Sequence, residues 1–186
     1  MISFIKERLT GYTGKTIESP RDVCAGVMIP IFERDGEVYI VLTKRTENVK
    51  LHKGEVSFPG GTCEDEDKDV LNTALRECCE EIGLKRGDVE IIGRLDDMVT
   101  LTGFIITPYV GIMPHPYPFK TNPSEVEYLI NLPVQYLMQV DAAMEQAQHK
   151  NRFEQVPSFY FNNERIWGAT CRILLQFRKI IADEAI

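Results

Sequence analysis

The sequence predicts a mixed α/β protein in which a β-sheet packs between helices. Apolar and β-branched runs of strand length recur along the chain, and they cover residues 23–32, 37–45, 53–61, 88–95 and 103–113. Helical periodicity marks residues 69–82, between two of these runs, and residues 169–186 at the end of the sequence. Strands mixed with one internal and one terminal helix indicate layers of α and β structure.

Local turn and cap signals mark where these elements begin and end. The stretch RDG at 34–36 separates the first two strands and predicts a hairpin. The stretch PGG at 59–61 ends the third strand, and Gly83 suits the end of the first helix. An acidic run at 64–67 precedes that helix, where negative charge is favourable for the helix dipole.

The second half of the chain has weaker signals. Residues 114–127 are rich in proline and predict a loop long enough to suggest a function. Residues 130–139 predict a short helix or turn. Residues 153–168 predict a last pair of strands around the turn at 162–163.

Composition limits the classes of function. With 186 residues, the chain is expected to form one domain over residues 1–186. The net charge of −7 argues against a nucleic-acid partner, because such binding needs a cationic surface. No run reaches the roughly 18 apolar residues of a membrane helix, and the N-terminus lacks the pattern of a signal peptide. A cytoplasmic protein without a membrane partner is therefore expected.

The cysteines and histidines predict no metal site. The five cysteines are an odd number without metal-finger spacing, and we expect buried free thiols in a reducing compartment. The three histidines are scattered, which argues against a histidine-based metal site.

The helix at 69–82 carries an acidic stripe. At 100° per residue, Glu77, Glu80 and Glu81 fall within about 100° of one another, away from the apolar side. Such a stripe is either a solvated face or a site for a divalent cation, since hard cations take carboxylate ligands. The glycines at 60–61, just before the helix, favour the cation site because glycine lets backbone approach a ligand closely.

Residues 60–84 resemble the Nudix box, the signature of Nudix hydrolases. The second half of the box matches at Arg76, Glu77, Cys78, Glu80, Glu81, Gly83 and Leu84. The first half departs from the pattern, since Lys68 stands where the box has glutamate and the loop is one residue longer. Asp67 and Glu64 are the two candidates to replace the missing carboxylate.

The longer loop is similar to the coenzyme A pyrophosphatase branch of the family. The stretch 42–61 resembles the motif that precedes the box in that branch, and it matches at Leu42, Thr43, Arg45, Gly54, Phe58, Pro59, Gly60 and Gly61. Thr46 replaces a serine, and Lys50 stands where arginine is usual. With a further match at 166–170, the resemblance covers about residues 23–180.

The resemblance implies a fold, a reaction and a metal. The implied fold is the Nudix α/β/α sandwich, with a mixed sheet between helices. The implied reaction is hydrolysis of a nucleoside diphosphate linked to another group. Mg²⁺ or Mn²⁺ would neutralise the phosphate charge and lower the pKa of a bound water. Its implied ligands are Glu77, Glu80, Glu81 and the carbonyl of Gly61.

Other residues receive roles from the same resemblance. Arg76 is expected to orient a glutamate rather than contact the substrate. Glu77 and Glu125 are both candidates for the general base, and an ordinary loop charge is the alternative for Glu125. Substrate binding, including the 3′-phosphate of coenzyme A, is assigned to Lys44, Arg45, Lys50, Gly60 and Gly61.

Three functions compete at this point. The first is hydrolysis of coenzyme A or acyl-CoA to adenosine 3′,5′-bisphosphate and 4′-phosphopantetheine. The second is hydrolysis of another small nucleotide, such as ADP-ribose, NADH or an oxidised nucleotide. The third is a non-catalytic nucleotide-binding module. Resembling enzymes are often homodimers, although no residue of this sequence marks an interface.

Overall fold

The protein is described here by a computed structural model that covers residues 1–19, 22–49, 52–100, 102–149 and 152–182. The helices are α1 (Ile2–Thr10), α2 (Val70–Ile82), α3 (Val134–Gln139) and α4 (Gly168–Ile181). The strands of the large sheet are β1 (Val23–Arg34), β2 (Glu37–Arg45), β3 (Val56–Ser57), β4 (Gly60–Thr62), β5 (Glu90–Arg94), β6 (Met98–Val99), β7 (Phe104–Ile112) and β8 (Val126–Pro133). A smaller sheet contains β9 (Ala143–His149), β10 (Arg152–Phe161) and β11 (Glu164–Trp167).

The large sheet is mixed and has β1 near its centre. Its main order is β3-β2-β1-β7-β5, while β4 pairs with β1, β6 with β7 and β8 with β2. The β1–β7 pair is parallel and the other pairs are antiparallel. Because β1 is covered on both faces, its sequence is almost continuously apolar instead of alternating.

Helices cover both faces of this sheet, so the predicted α/β/α sandwich is confirmed. On one face, α1, α3 and α4 pack in a core that includes Ile29 and Ile40. On the other face, α2 packs in a second core with Met28 and Val41. Neighbouring residues of one strand enter different cores because successive side chains point to opposite faces. None of the helices within the described ranges is long and apolar enough to cross a membrane.

The first hairpin and α2 lie close to the predicted bounds, whereas several elements were missed. The predicted helix or turn at 130–139 is wrong for its first four residues, which belong to β8. That strand forms because it pairs with β2 across a long sequence separation, with Ile40 opposite Leu132. The N-terminal helix α1 was also missed, and it buries Ile5 and Leu9 completely.

The prediction that all cysteines are buried free thiols is wrong. Cys24 and Cys63 form a disulfide, and Cys79 is exposed, while Cys78 and Cys171 are buried free thiols. The pairing arises because Ala25 of β1 lies opposite Thr62 of β4, which places Cys24 opposite Cys63. The Cys63 amide donates to the Cys24 carbonyl at 3.0 Å. Cysteine usage therefore gives no support for a reducing compartment.

The acidic helix α2 ends at Gly83 as predicted, and it lies directly on β1. The Asp69 side chain accepts a hydrogen bond from the Asn72 amide at 2.8 Å, and Gly83 ends the helix with a φ of 71°. The close approach requires a glycine at 26 in β1. A Cβ there would lie 2.5 Å from the Val70 carbonyl oxygen and 3.0 Å from the Ala74 amide nitrogen.

Substitution of Gly26 by alanine is expected to destabilise the fold by displacing α2. The added methyl group would overlap helix backbone, and overpacking of this kind costs about 1–3 kcal/mol. Urea unfolding measures the free energy. The control is Gly87→Ala, because a Cβ at that position meets nothing within 4 Å. Equal unfolding free energies for the two variants would contradict the prediction.

Candidate active site

The segment from β4 to α2 places two glycines beside the acidic helix. β4 pairs with β1 through Gly60 opposite Val27 and Gly61 opposite Gly26. A Cβ at Gly60 would lie 2.5 Å from the Gly26 carbonyl oxygen, and a Cβ at Gly61 would lie 2.4 Å from Oε1 of Glu77. The carboxylate of Glu77 thus occupies the space that a larger residue at position 61 would need.

Arg76 connects the loop before α2 with two of the three glutamates. Its guanidinium donates to Glu77 at 2.8 Å and to Glu80 at 3.3 Å through Nη1. Nη2 donates to the carbonyl oxygen of Thr62, at the end of β4, at 3.1 Å. The side chain therefore faces the chain's own acids and backbone.

Asp67, one of the two candidates for the missing first-half carboxylate, pairs closely with Arg76. It holds Arg76 in a two-point pair, with Nε to Oδ1 at 3.1 Å and Nη2 to Oδ2 at 3.0 Å. It also accepts from the Thr73 hydroxyl and the Glu64 amide. The hydrogen bond from Arg76 is the main cause that holds the pKa of Asp67 well below its usual range.

Glu64, the other candidate, makes a longer contact with Arg76. Its carboxylate is 3.8 Å from Arg76 and its side chain is 56% exposed, whereas the Asp67 side chain is 7% exposed. Of the two candidates, Asp67 is therefore the closer and more buried partner of Arg76.

Glu81 is the most buried acid of the site, with 1% of the residue exposed. Its Oε1 accepts from Nη1 of Arg45 at 3.2 Å. Its Oε2 has no hydrogen-bond partner among the described residues, and neither has Nε of Arg45. Burial raises the pKa of Glu81 to about 8, against the opposing effect of Arg45. Burial also raises the pKa of Glu77.

The loop before β8 brings Glu125 to the acidic helix. The Asn122 amide donates to the carbonyl oxygen of Glu81 at 2.8 Å, and the Asn122 side chain donates to Oε1 of Glu125 at 3.1 Å. The Thr46 amide donates to the Glu125 carbonyl at 2.9 Å. The charge of Glu125 contributes to raising the pKa of both Glu77 and Glu81, so these carboxylates lie near one another.

The residues assigned to substrate binding have partners within the chain. Lys44 donates to Glu164 at 2.6 Å, and Arg45 pairs with Glu81. Thr46, which replaces the serine of the motif, donates its hydroxyl to the Ser124 carbonyl at 3.0 Å. Lys50 lies outside the described residues. Arg45 therefore contacts the acidic helix, and Thr46 contacts the loop that carries Glu125.

The donor set suits a hard divalent cation. Carboxylates are the ligands that such ions prefer, and Oε2 of Glu81 is a buried acceptor that receives no hydrogen bond from the residues described. Over the ranges described here, no three potential ligands already surround one point. The reason is visible in the contacts, because Glu77 and Glu80 turn toward Arg76 and Glu81 turns toward Arg45.

Sequence reasoning missed two features of this site. The pairing of Arg45 with Glu81 was not foreseen, because the two residues lie on β2 and α2 and no local spacing relates them. The role of Asn122 as a link between Glu81 and Glu125 was missed as well. The signal for Asn122 was its place in an Asn-Pro-Ser stretch, which is typical of a turn held by an asparagine side chain.

Comparisons with known proteins relate this geometry to a family. The sequence profile of the NUDIX domain matches residues 23–159. The uncharacterized Nudix hydrolase NudL of Yersinia pestis (strain Pestoides F) is 32% identical over 151 residues, which cover 81% of this chain and 75% of that protein.

Two solved structures share the fold at low identity. A MutT/nudix family protein from Enterococcus faecalis has a TM-score of 0.57 and 11% identity, and the match covers 98% of this chain and 70% of the other. The NUDIX domain of Shewanella oneidensis NrtR, complexed with ADP ribose, has a TM-score of 0.52 and 16% identity over 73% of this chain and 86% of its own. From the profile match and the NudL relative, the chain belongs to the Nudix family and is a diphosphate hydrolase that acts on nucleoside diphosphate derivatives.

Proposed function

We propose that this hydrolase cleaves the diphosphate linkage of coenzyme A or an acyl-CoA. Water adds to one phosphorus, and the products are adenosine 3′,5′-bisphosphate and 4′-phosphopantetheine or its acylated form. The observation that supports diphosphate chemistry is the buried Glu81 carboxylate, half unpaired, beside the glycines of β4. The choice of coenzyme A rests on the motif at 42–61. We also propose that residues 1–186 act as one unit.

The metal proposed for this site is Mg²⁺ or Mn²⁺. Its proposed ligands are Glu77, Glu80, Glu81 and the carbonyl of Gly61. When bound, the ion supplies neutralisation of the diphosphate charge and a lower pKa for the attacking water. Nudix hydrolases generally use divalent ions, which agrees with this donor set.

The chain's own residues hold the acids in place. Arg76, held by Asp67, fixes the rotamers of Glu77 and Glu80. Asn122 and Thr46 fix the loop that carries Glu125. Glu125 and Glu77 are the two candidates to accept the proton of the attacking water. A base at Glu125 would be advantageous because its carboxylate belongs to a different element from the metal helix.

A second candidate is another nucleoside diphosphate derivative, such as ADP-ribose, NADH or an oxidised nucleotide. The observation that favours it is the engagement of Lys44 by Glu164 and of Arg45 by Glu81. A 3′-phosphate would have to compete with these carboxylates for the two cations. Coenzyme A remains the first candidate because the motif covers the whole segment before the box.

A substrate panel tests the choice. Purified protein with Mg²⁺ or Mn²⁺ is expected to cleave coenzyme A faster than ADP-ribose, NADH or 8-oxo-dGTP, and EDTA is expected to abolish cleavage. Chromatography of the products measures each rate. Lys44→Met should raise KM for coenzyme A about tenfold and leave KM for 3′-dephospho-coenzyme A unchanged, because one charge-assisted phosphate contact is lost. A better rate with another nucleotide would disprove the coenzyme A assignment and retain the diphosphate chemistry.

Substitutions in the acidic helix test the metal ligands. Glu80→Gln is expected to lower kcat at least about 100-fold, because loss of a metal ligand removes several kcal/mol of transition-state stabilisation. Asp67→Asn should lower kcat about 10- to 100-fold through misplacement of Arg76. Glu64→Gln is the matched control and should retain activity, since it stands 3.8 Å from Arg76 in an exposed position. Normal turnover by Glu80→Gln would contradict the ligand assignment.

The burial of Glu81 predicts a pH-dependent cost in stability when metal is removed by EDTA. The pKa of Glu81 is raised in the fold from 4.5 to about 8, so its ionised form is disfavoured. This cost is absent below pH 4.5 and is complete above pH 8. Glu81→Gln should therefore raise Tm by at least about 3 °C at pH 8.5, and less at pH 5.

The matched control for this measurement is Glu80→Gln. Its side chain is 55% exposed, and its substitution should leave Tm nearly unchanged at both pH values. A lower Tm for Glu81→Gln than for the native protein at pH 8.5 would show that the pair with Arg45 outweighs the burial of the charge.

A further inference from the structure

The smaller sheet ends in an open edge strand. Its order is β11-β10-β9, and β9 pairs with β10 from Ala143 opposite Ser158 to His149 opposite Arg152 without a register shift. Among the described residues, no strand pairs with the outer side of β9. An open edge of this kind offers its backbone groups to another chain.

The register shows which backbone groups face outward. Asn162 and Asn163 form the two-residue turn between β10 and β11, so Phe161 and Glu164 make a hydrogen-bonded pair. Backbone groups of successive residues in a strand point to opposite sides. The backbone of Pro157, which has no N–H, therefore faces β11, while the N–H and C=O groups of Val156 and Ser158 face β9. The N–H and C=O groups of residues 144, 146 and 148 consequently point to the open edge.

This edge lacks the features that usually protect one. The sequence of β9, AMEQAQH, contains no proline and no lysine, and the strand has no bulge. The edge strand β5 of the large sheet is different. It has an irregularity between Ile91 and Gly93, and α1 packs against it, with Leu9 beside Gly93.

Two large apolar side chains accompany the open edge. Met144 is 60% exposed and Phe153 is 64% exposed. Both belong to the face of the sheet that carries Phe159 and Ile166 into the core, because they share its alternation along β9 and β10. The two side chains therefore flank the unpaired edge, one near each end of β9.

We propose that β9 pairs with β9 of a second copy of this chain, antiparallel, about a twofold axis at Gln146. In this register, residue 146 pairs with residue 146 of the partner, and residue 144 of each copy pairs with residue 148 of the other. These three hydrogen-bonded pairs give six backbone hydrogen bonds. The two small sheets become one sheet of six strands. A twofold contact of this kind is closed, so it yields a dimer and not a filament.

This register forms three hydrogen-bonded pairs within β9, whereas a twofold axis at residue 145 or 147 would form only two. It places Glu145 opposite the partner's Ala147, whereas a twofold axis at residue 145 would place two glutamates opposite each other. In this antiparallel pairing, the last residue of β9 in each copy lies opposite the first residue of the partner's β9. Phe153 then shares one row of the sheet with the partner's Met144, so the two exposed apolar residues lie on the same face of the interface.

A charge-swap experiment tests the interface independently of any enzymatic activity. Sedimentation of the native protein over roughly 1–100 µM should show a dimer. Gln146→Glu and Gln146→Lys should each be monomeric, because like charges face one another across the axis, and their equimolar mixture should regain the dimer. Gln155→Glu is the matched control, since it changes the same row on β10 without facing its counterpart, and it should stay dimeric.

A cysteine at the axis gives a second readout. In a Cys79→Ser background, Gln146→Cys should form a disulfide-linked dimer on mild oxidation, because Cα atoms of a hydrogen-bonded pair lie about 5.5 Å apart. A native protein that is monomeric at every concentration would overturn the proposal. A native dimer that survives both charge substitutions would overturn it too, because the contact would then lie elsewhere. Unchanged circular dichroism of the variants confirms that the monomer remains folded.

Discussion

The ion network around Arg76 is the interaction on which the site depends. One guanidinium joins Asp67 in the loop, the backbone of β4 at Thr62, and the glutamates at 77 and 80. A planar, permanently charged donor group can hold several acceptors at once, which a lysine could not do with the same geometry. The network offsets the repulsion between Glu77 and Glu80, while Arg45 offsets the charge of Glu81.

The site combines this charged surface with a buried carboxylate. The Glu81 side chain is buried, and burial raises its pKa. Its Oε2 has no hydrogen-bond partner among the described residues. A buried acceptor without a partner costs free energy in the isolated fold, and natural proteins keep such costs mainly at functional positions. Arg45 compensates part of that charge from β2. The unpaired oxygen of Glu81 is the observation that most supports the cation site proposed above.

The motif before the box has a structural meaning that its residue types did not show. Thr43 donates its hydroxyl to the Ser57 carbonyl, and Arg45 donates to the Glu81 carboxylate. Thr46 donates its hydroxyl to the Ser124 carbonyl, in the loop that carries Glu125. A basic and hydroxyl-rich stretch ahead of a diphosphate site is naturally interpreted as substrate-binding. The contacts show that Arg45 also holds α2 and that Thr46 also holds the loop that carries Glu125.

The sequence by itself determined the features that depend on neighbouring residues. The hairpin of β1 and β2, the approximate extent of α2, its end at Gly83 and the acidic stripe all follow from spacing and local chemistry. Only the tertiary structure decided which distant segments meet. It placed β8 beside β2, paired Cys24 with Cys63, chose Asp67 over Glu64 as the partner of Arg76, and left β9 at an open edge. These outcomes depend on strand order and on contacts between residues far apart in the chain, which no local pattern records.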